Sequence, residues 1–370
     1  MKIKRLPKVD RGLLWVILIL LAFGLVSLYS ASSVLSSQRF GNNYYYFVRQ
    51  IGFGAIPGLI AMYVLSRIDY HVWQKLAPLL IVGGVGLLVA VLLPGIGLRV
   101  AGARRWINLQ YFLFQPAEFV KLAVIFYLAS WYDKRQQHTH DLYYGFLPIL
   151  TIVLIVSGLI ILEPDLGTML VLIAIAAVMF FLGGVRLRYL FGTAVVGSMV
   201  LWLAIKAAPY RASRLLAFFN PQADAQGVSY QINQALLAIG SGGFWGRGYG
   251  QSLQKQNYLP ETIGDSIFAV ISEEMGFVRI LAVLIGFLFL ALRGFRVALK
   301  APDTFGRLVA AGITSWIVMQ AIINIGGITA VIPLTGIPLP FISYGSTAMA
   351  MNLGALGILL NISRYTGKRA

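Results

Sequence analysis

Apolar stretches long enough to cross a lipid bilayer recur along this chain, and they constrain its fold more than any other feature. A membrane-spanning helix needs about 20 mostly apolar residues. Of all residues, 58% are hydrophobic and 12% charged, whereas soluble domains are about one quarter charged. We therefore predict an all-α integral membrane protein with ten transmembrane helices in a single polytopic membrane domain over residues 1–370. The predicted spans are roughly 13–35, 45–66, 75–94, 116–132, 143–162, 166–184, 189–207, 266–292, 307–327 and 346–362.

The distribution of Lys and Arg predicts the orientation of these spans. Basic residues fill the N-terminal segment MKIKRLPKVDR, the short connections after the even-numbered spans and the C-terminal end. Because cytoplasmic loops carry an excess of Lys and Arg, both termini are predicted to be cytoplasmic, in the inner (cytoplasmic) membrane. The net charge of +17 then reports membrane orientation, and nucleic-acid binding is a poor interpretation of it.

The long connection 208–265, between the seventh and eighth spans, is predicted to be an extracytoplasmic loop that carries the active site. It ends in YLPETIGD, which places Asp265 where the loop re-enters the membrane. An ionisable carboxylate at such a boundary is costly and usually functional. Asp265 is therefore the leading candidate for a catalytic residue.

Other polar residues lie on the same predicted outer side. Arg104 and Arg105 belong to an interfacial segment, GARRW, that precedes the fourth span. Glu118 and Lys121 are spaced i, i+3 on the next helix and can pair. The pair is either a structural intramembrane ion pair or a polar wall of a substrate cavity.

The short connection EPDLGT contains two carboxylates, Glu163 and Asp165. Asp165 can cap the following helix. Together the two carboxylates are a candidate site for a divalent cation such as Mg²⁺ or Mn²⁺, or for basic residues of neighbouring loops. With no cysteine in the chain, thiolate metal sites are excluded. Whether a metal takes part stays open.

The long loop has three informative segments. Arg211 and Arg214 share one face if PYRASRLLAFF is helical, and YQINQALLAIG, which contains Gln234, is typical of an amphipathic helix. The glycine-rich GSGGFWGRGYG lacks the GK[ST] ending of a P-loop. It is either a bent connector or a backbone cradle for a phosphate.

Two regions after Asp265 complete the pattern. Glu273 and Glu274 fall inside the eighth span and need partners, for which Arg279 and Lys121 are available. IPLTGIPLPFISYGS, which contains Ser343, cannot be helical and is tolerated at membrane depth only if protein or a wet cavity surrounds it.

These segments, in this order, resemble the SEDS family, the group of FtsW and RodA. The matching stretches are GARRWINL, FQPAEFVK, EPDLGT, YR-x-x-R, YQINQALLAIGSGG, YLPE-x-x-GDSIFAVISEEMG and GIPLPFISYGS. The resemblance implies a peptidoglycan glycosyltransferase that polymerises lipid II at the outer leaflet. Within the family, GYGQSLQKQNYLPE is more similar to the division type, FtsW, than to the elongation type, RodA.

The resemblance also assigns roles. Asp265 corresponds to the family's essential acid, Glu118 and Lys121 to its polar helix pair, and Asp165 to its turn acid. The leaving diphosphate needs no protein acid, so one base that deprotonates the acceptor hydroxyl suffices. Expected substrate-binding residues are Lys121, Glu118, Arg104, Arg105, Arg211, Arg214 and Gln234, with Arg247 and Lys255 adding positive charge; supporting residues are Asp165, Glu163, Glu273 and Ser343.

The partners expected from the resemblance are lipid II, the nascent glycan strand and a class B penicillin-binding transpeptidase. Other membrane proteins of division or elongation, and membrane lipids, complete the set. A flippase for the same lipid-linked precursor is the main alternative. A non-catalytic membrane scaffold is a third possibility, but it leaves the carboxylate and the arginines unexplained.

Overall fold

A computed structural model describes residues 9–366, except 101, 139, 207–208 and 220–226; the side chains at 138, 200–201, 203–205 and 209–213 are also outside the description. Most of the described chain is helical. The helices are α1 (Arg11–Phe40), α2 (Tyr45–Gln50), α3 (Ile56–Leu65), α4 (His71–Leu92), α5 (Pro116–Lys134), α6 (Leu147–Leu162), α7 (Leu166–Leu182), α8 (Leu187–Lys206), α9 (Pro209–Phe219), α10 (Val228–Gly242), α11 (Ile267–Lys300), α12 (Thr304–Ile328) and α13 (Ser346–Ser363).

Helices occur at each of the ten places where a span was predicted. In the described part of the chain, 7 of them are long and apolar enough to cross a membrane, and Leu166–Leu182 is apolar but shorter. The seven are Arg11–Phe40, Tyr45–Leu65, His71–Leu92, Leu142–Leu162, Ile267–Lys300, Thr304–Ile328 and Ser346–Ser363. The full count of ten spans stays a prediction. Helix α5 owes its more polar character to Glu118, Lys121, Asp133 and Lys134.

The all-α prediction is wrong in one place. Residues 97–114 form a small antiparallel sheet of β1 (Gly97–Val100), β2 (Ala103–Asn108) and β3 (Leu113–Phe114), in the order β1-β2-β3. Leu98 pairs with Trp106 across the first two strands, and Gly102 supplies a positive φ at the turn. The segment with the interfacial arginines is therefore a hairpin whose backbone groups are paired.

Helix α12 lies at the centre of the bundle. It packs against α5, α7 and α11, and Trp316 on it is completely buried. Close packing depends on small residues, as is common between membrane helices. A Cβ on Gly294 of α11 would lie 2.2 Å from the Thr314 hydroxyl of α12, and a Cβ on Gly357 of α13 would lie 2.5 Å from the Met62 carbonyl of α3.

Helix α11 is interrupted at Gly276, where φ is 73° and ψ is 175°. The glycine-rich stretch after α10 packs into this break. Arg247 N donates to Glu273 O at 2.9 Å, and Gly248 N donates to Glu274 O at 3.0 Å. Because these two N–H groups already donate to carbonyls of α11, they cannot bind a phosphate, and the phosphate-cradle alternative is wrong for them. The stretch is a bent connector.

Candidate active site

Asp265 lies immediately before α11, at the end of the loop that leaves α10. It is half-buried, and its Oδ1 accepts a hydrogen bond from Gln231 Nε2 of α10 at 3.2 Å. Ser266 Oγ lies 3.5 Å from the same oxygen. Both polar contacts therefore meet the same carboxylate oxygen.

The backbone around Asp265 is fixed by residues from α12 and the proline-rich loop 329–345. Asn324 Nδ2 donates to Asp265 O at 2.9 Å and to Ile337 O at 2.8 Å. Ser343 Oγ donates to Gly264 O at 2.7 Å, and Leu339 N donates to that hydroxyl, also at 2.7 Å. The predicted supporting residue Ser343 therefore contacts the peptide next to Asp265.

The electrostatics of this position favour a proton acceptor that works near neutral pH. Burial raises the pKa of Asp265 to about 6, the charge of Glu261 adds to the rise, and Arg214 opposes it. A carboxylate with a raised pKa is a stronger base than an ordinary exposed aspartate.

Arg214 approaches Asp265 across Gly336. Its Nη1 donates to Thr335 O at 2.8 Å, which fixes the guanidinium against the proline-rich loop. Gly336 has a φ of 75°. A Cβ there would lie 3.3 Å from Arg214 Nη2 and 3.7 Å from Asp265 Oδ2. A cation and a carboxylate therefore flank one glycine without forming a direct ion pair.

Glu118 and Lys121 pair as their spacing predicts. Lys121 Nζ lies 2.8 Å from Glu118 Oε1, and both side chains are almost completely buried. Lys121 also donates to Gln320 Oε1 at 2.9 Å and lies 4.6 Å from the Trp316 ring centroid. These contacts satisfy a charge that would be costly if isolated.

A chain of hydrogen bonds connects this ion pair to the loop over Asp265. Gln320 Nε2 donates to Pro338 O at 3.0 Å. The preceding carbonyl, that of Ile337, accepts from Asn324, which also holds Asp265 O. The buried pair thus reaches Asp265 through α12 and the proline-rich loop.

The two carboxylates of EPDLGT differ in their surroundings. Asp165 caps α7 by accepting from Thr168 N at 3.1 Å. Both oxygens of the buried Glu163 lack a hydrogen-bond partner among the described residues. Burial raises the pKa of Glu163 to about 9, Asp165 adds to the rise, and Arg105 opposes it. Glu163 is therefore neutral at pH 7.

Arg105 is a cation that already meets this turn. Its Nη1 lies 3.9 Å from Asp165 Oδ2, so a divalent cation would have to compete with the guanidinium for this carboxylate. Within the described residues, no three His, Cys, Asp or Glu side chains converge as a metal site. Arg105 also donates to the carbonyls of Glu163 and Pro164, which agrees with the alternative that basic residues meet this turn.

The other predicted cations do not form one cluster. Arg104 Nη1 lies 3.4 Å from Leu92 O, and the side chain of Arg211 is outside the described part of the chain. Lys255 is buried against Glu274 at 2.7 Å. Arg247 lies 3.5 Å from Glu273. Among the predicted cations whose side chains the structure describes, Arg214 is the one whose charge acts on Asp265.

The partners predicted for Glu273 and Glu274 are wrong. Glu273 accepts from Ser252 Oγ at 2.5 Å and from the backbone N–H groups of Leu253 and Gln254. Glu274 accepts from Lys255 and from Ser30 of α1. Arg279 donates to Trp245 O instead. Both glutamates anchor the loop between α10 and α11 to the helix bundle.

Sequence reasoning missed several residues of this site. Gln231, rather than Gln234, donates to Asp265, although both lie on α10. Asn324 and Gln320 were available as signals, because polar side chains inside an apolar span usually serve a purpose. The position of Gly336 between Arg214 and Asp265 could not be predicted from the spacing of residues along the sequence.

A cavity of about 290 Å³ opens beside this centre. Glu261 connects the two, because its carbonyl accepts from Gly264 N at 2.9 Å in the turn that leads to Asp265. Tyrosine rings and groups that form hydrogen bonds give the cavity a surface that suits a polar ligand with apolar faces. Polar and aromatic lining residues include Arg39, Tyr46, Tyr230, Asn257, Tyr258 and Glu261.

Comparison with known proteins gives consistent matches over nearly the whole chain. Residues 11–368 match the model of a family described as cell cycle protein, covering FtsW, RodA and SpoVE. A probable peptidoglycan glycosyltransferase FtsW of Trichlorobacter lovleyi is 43% identical over 361 residues, covering 97% of this chain and 94% of that protein. Stage V sporulation protein E of Bacillus subtilis is 42% identical over 357 residues, covering 96% and 97%.

Solved structures agree. A chain from work on the structural coordination of polymerization and crosslinking by a peptidoglycan synthase complex has a TM-score of 0.78 and 27% identity, covering 97% of this chain and 99% of that chain. The rod shape determining protein RodA of Thermus thermophilus has a TM-score of 0.71 and 28% identity, covering 96% and 97%.

Proposed function

The chain belongs to the family of FtsW, RodA and SpoVE, and from this premise we propose that it is a peptidoglycan glycosyltransferase of the division type. It is a multi-pass membrane protein. Its substrate is lipid II, which it polymerises into β-1,4 glycan strands at the outer face of the cytoplasmic membrane, with both termini cytoplasmic. The observation that carries the proposal is the half-buried Asp265 with Arg214 across Gly336.

In the proposed reaction, Asp265 takes the proton from the 4-hydroxyl of the acceptor GlcNAc. The freed oxygen attacks the anomeric carbon of the donor MurNAc and forms the new C–O bond. The bond between that carbon and the diphosphate breaks, and undecaprenyl diphosphate leaves with the electron pair. A single displacement inverts the α-linked donor to the β linkage, so one carboxylate suffices where glycosidases need two.

Arg214 supports this reaction as a cation close to the base, whose charge acts on Asp265. The leaving diphosphate gains negative charge in the transition state, and a fixed guanidinium stabilises that charge without reorganising. Hydrogen bonds to Thr335 O and Leu334 O hold Nη1, and Nη2 faces the space over Gly336. Arg211, one turn earlier on α9, is proposed to assist.

The cavity beside Glu261 is proposed to hold a sugar of lipid II. Its volume of about 290 Å³ is at the lower end of the range for small-molecule sites, which suits one saccharide unit. The lipid tails would lie outside it, along the bundle. Glu118 and Lys121 then act at a distance, by positioning the proline-rich loop through Gln320.

We also propose a class B penicillin-binding transpeptidase as partner. This rests on the likeness to a chain of a peptidoglycan synthase complex in which polymerization and crosslinking are coordinated. Such a partner would crosslink the strands that this chain makes.

The flippase alternative retains one supporting observation, the ion pair buried within the bundle. Proteoliposomes that contain only this protein separate the two functions. We expect glycan polymer from labelled lipid II and no accelerated transbilayer movement. Movement that persists in Asp265→Asn, without polymer from the unaltered protein, would establish the transporter.

Asp265→Asn tests the enzyme directly, because asparagine keeps the size and polarity of the side chain but cannot act as the base. Polymerisation of lipid II by purified protein should fall by about 100-fold or more, the usual range for loss of a general base. Asp141→Asn is the matched control, since Asp141 caps a distant turn through Tyr143 N. Unchanged polymerisation in Asp265→Asn at equal folded protein would refute the assignment.

A further inference from the structure

A second cavity, of about 260 Å³, lies between α4 and α5, away from the site around Asp265. Pro78 contributes to its formation, because proline has no N–H to donate to the carbonyl four residues earlier. That carbonyl, on Gln74, instead receives a long contact of 3.4 Å from Ser130 Oγ of α5. The cavity is lined by Pro78, Tyr127, Ser130, Trp131, Lys134 and Arg135.

The length of α5 places this cavity at the opposite membrane boundary from Asp265. The helix has 19 residues, so Lys134 lies about 27 Å along the axis from Pro116, at 1.5 Å per residue. Pro116 directly follows Gln115, which contacts Asp165 near the candidate active site. Because the hydrocarbon core is about 30 Å thick, we expect Trp131, Lys134 and Arg135 to lie at headgroup depth, where tryptophan is enriched.

The lining of the cavity is positively charged, because it contains Lys134 and Arg135. Within the described part of the chain, neither Lys134 nor Arg135 forms a salt bridge, and no carboxylate lines the cavity. The neighbouring Asp133 does not line the cavity; its carboxylate accepts a hydrogen bond from Gln74 Nε2 of α4 at 2.7 Å. The Arg135 guanidinium stacks on Trp131, 3.6 Å from the ring centroid, which fixes its plane.

The helix surface beside the cavity is apolar and exposed. Leu79 is 69% exposed and Val82 is 70% exposed on α4, and Lys75 shares the side of Pro78 by its i, i+3 spacing. Basic pockets between membrane helices with this composition bind lipid headgroups.

We propose that this cavity binds the phosphodiester headgroup of one anionic phospholipid, with its acyl chains along the exposed face of α4. Lys134 and Arg135 contact the phosphate oxygens, and the guanidinium is oriented for them by Trp131. The site is independent of the proposed glycosyltransferase reaction, and it would tie the end of α5 opposite Glu118 to the lipid composition of the membrane.

The test is a lipid titration of the purified full chain in detergent. Native mass spectrometry counts bound lipid, and thermal unfolding follows stabilisation. Phosphatidylglycerol and phosphatidylcholine with identical acyl chains are compared, with inorganic phosphate as a competitor. One tightly bound phosphatidylglycerol is expected, with no comparable binding of phosphatidylcholine and no displacement by phosphate at equal concentration.

The variant Lys134→Gln/Arg135→Gln should bind phosphatidylglycerol about 25-fold more weakly, since each basic residue near the membrane contributes about fivefold. Both side chains are exposed, so the lipid-free Tm should fall by no more than about 2 °C, the effect of losing one exposed cation–π contact. The matched control is Arg296→Gln/Lys300→Gln, two exposed cations on α11 that do not line the cavity. Equal affinity in variant and wild type, equal loss in the control, equal binding of phosphatidylcholine, or displacement by phosphate would each overturn the proposal.

Discussion

Removing one member of the buried ion pair should destabilise the protein strongly. In Lys121→Met, the Glu118 carboxylate remains 2% exposed and loses its cation, while its Oε2 already has no hydrogen-bond partner among the residues that the structure describes. An unpaired charge in such a position costs about 3–5 kcal/mol. At roughly 2 °C per kcal/mol, the Tm in detergent should fall by about 6–10 °C. Glu118→Leu, which leaves the ammonium group without its carboxylate, should cost a similar amount.

The double variant Glu118→Leu/Lys121→Met should recover most of this stability. Replacement of a buried ion pair by apolar side chains of similar volume is often neutral or stabilising, and Gln320 keeps its hydrogen bond from Trp316 Nε1 at 2.9 Å. Polymerisation should nevertheless stay about tenfold below wild type. The reason is that Lys121 no longer orients the Gln320 amide whose Nε2 holds Pro338 O.

Thermal unfolding and lipid II polymerisation, measured on the same four proteins, decide the matter. Additive losses of Tm in the double variant would mean that the two side chains do not interact energetically. Full return of activity together with stability would refute the positioning role and leave a purely structural pair.

Three further predictions concern the residues around Asp265 and Glu163. Gly336→Ala places a side chain on a residue with positive φ, at a cost of about 1–2 kcal/mol, and the new methyl group meets Arg214, so kcat/KM should fall. In the control Gly83→Ala the new methyl group meets no atom within 4 Å, and kcat/KM should not change. Polymerisation should rise with pH through about 6 as Asp265 ionises. A rate that is flat from about pH 5 to 8 would contradict this. Glu163→Gln should match the wild-type Tm near pH 4 and exceed it at pH 7, because between the ordinary pKa of 4.5 and the folded value of about 9 the wild-type fold keeps a proton that the unfolded chain releases. A Tm difference that does not change between pH 4 and pH 9 would contradict the raised pKa of Glu163.

The raised pKa of Asp265 also makes the free energy of unfolding depend on pH. Its pKa is higher in the folded protein, about 6, than its ordinary value of 3.8. The folded state therefore binds more protons between these values, and the contribution of this group to stability is lost as pH rises through about 6. Asp265→Asn should consequently have a higher Tm than wild type at pH 8, and an equal or lower Tm there would contradict the raised pKa.

Local periodicity determined much of what the sequence revealed. Runs of apolar residues predict where helices lie, because a span must satisfy its own backbone in lipid. The i, i+3 spacing of Glu118 and Lys121 predicts their pairing, and Asp165 caps α7 through a residue three positions away. In each case a few consecutive dihedral angles fix the contact, so no knowledge of the rest of the fold is needed. Asp265 was located in the same way, by the abrupt change from polar loop to apolar helix.

Tertiary packing decided the rest. Glu274 accepts from Ser30, 244 positions away, and Asn324 holds Asp265 O from 59 positions away. The arginines predicted to form one cluster contact different parts of the protein instead. Arg105 donates to a backbone carbonyl of the turn between α6 and α7, whereas Arg214 lies beside Gly336. Such partners depend on how α9, α11 and α12 dock against one another. Side-chain spacing repeats every few residues along a helix and contains no information on which distant helix will be its neighbour.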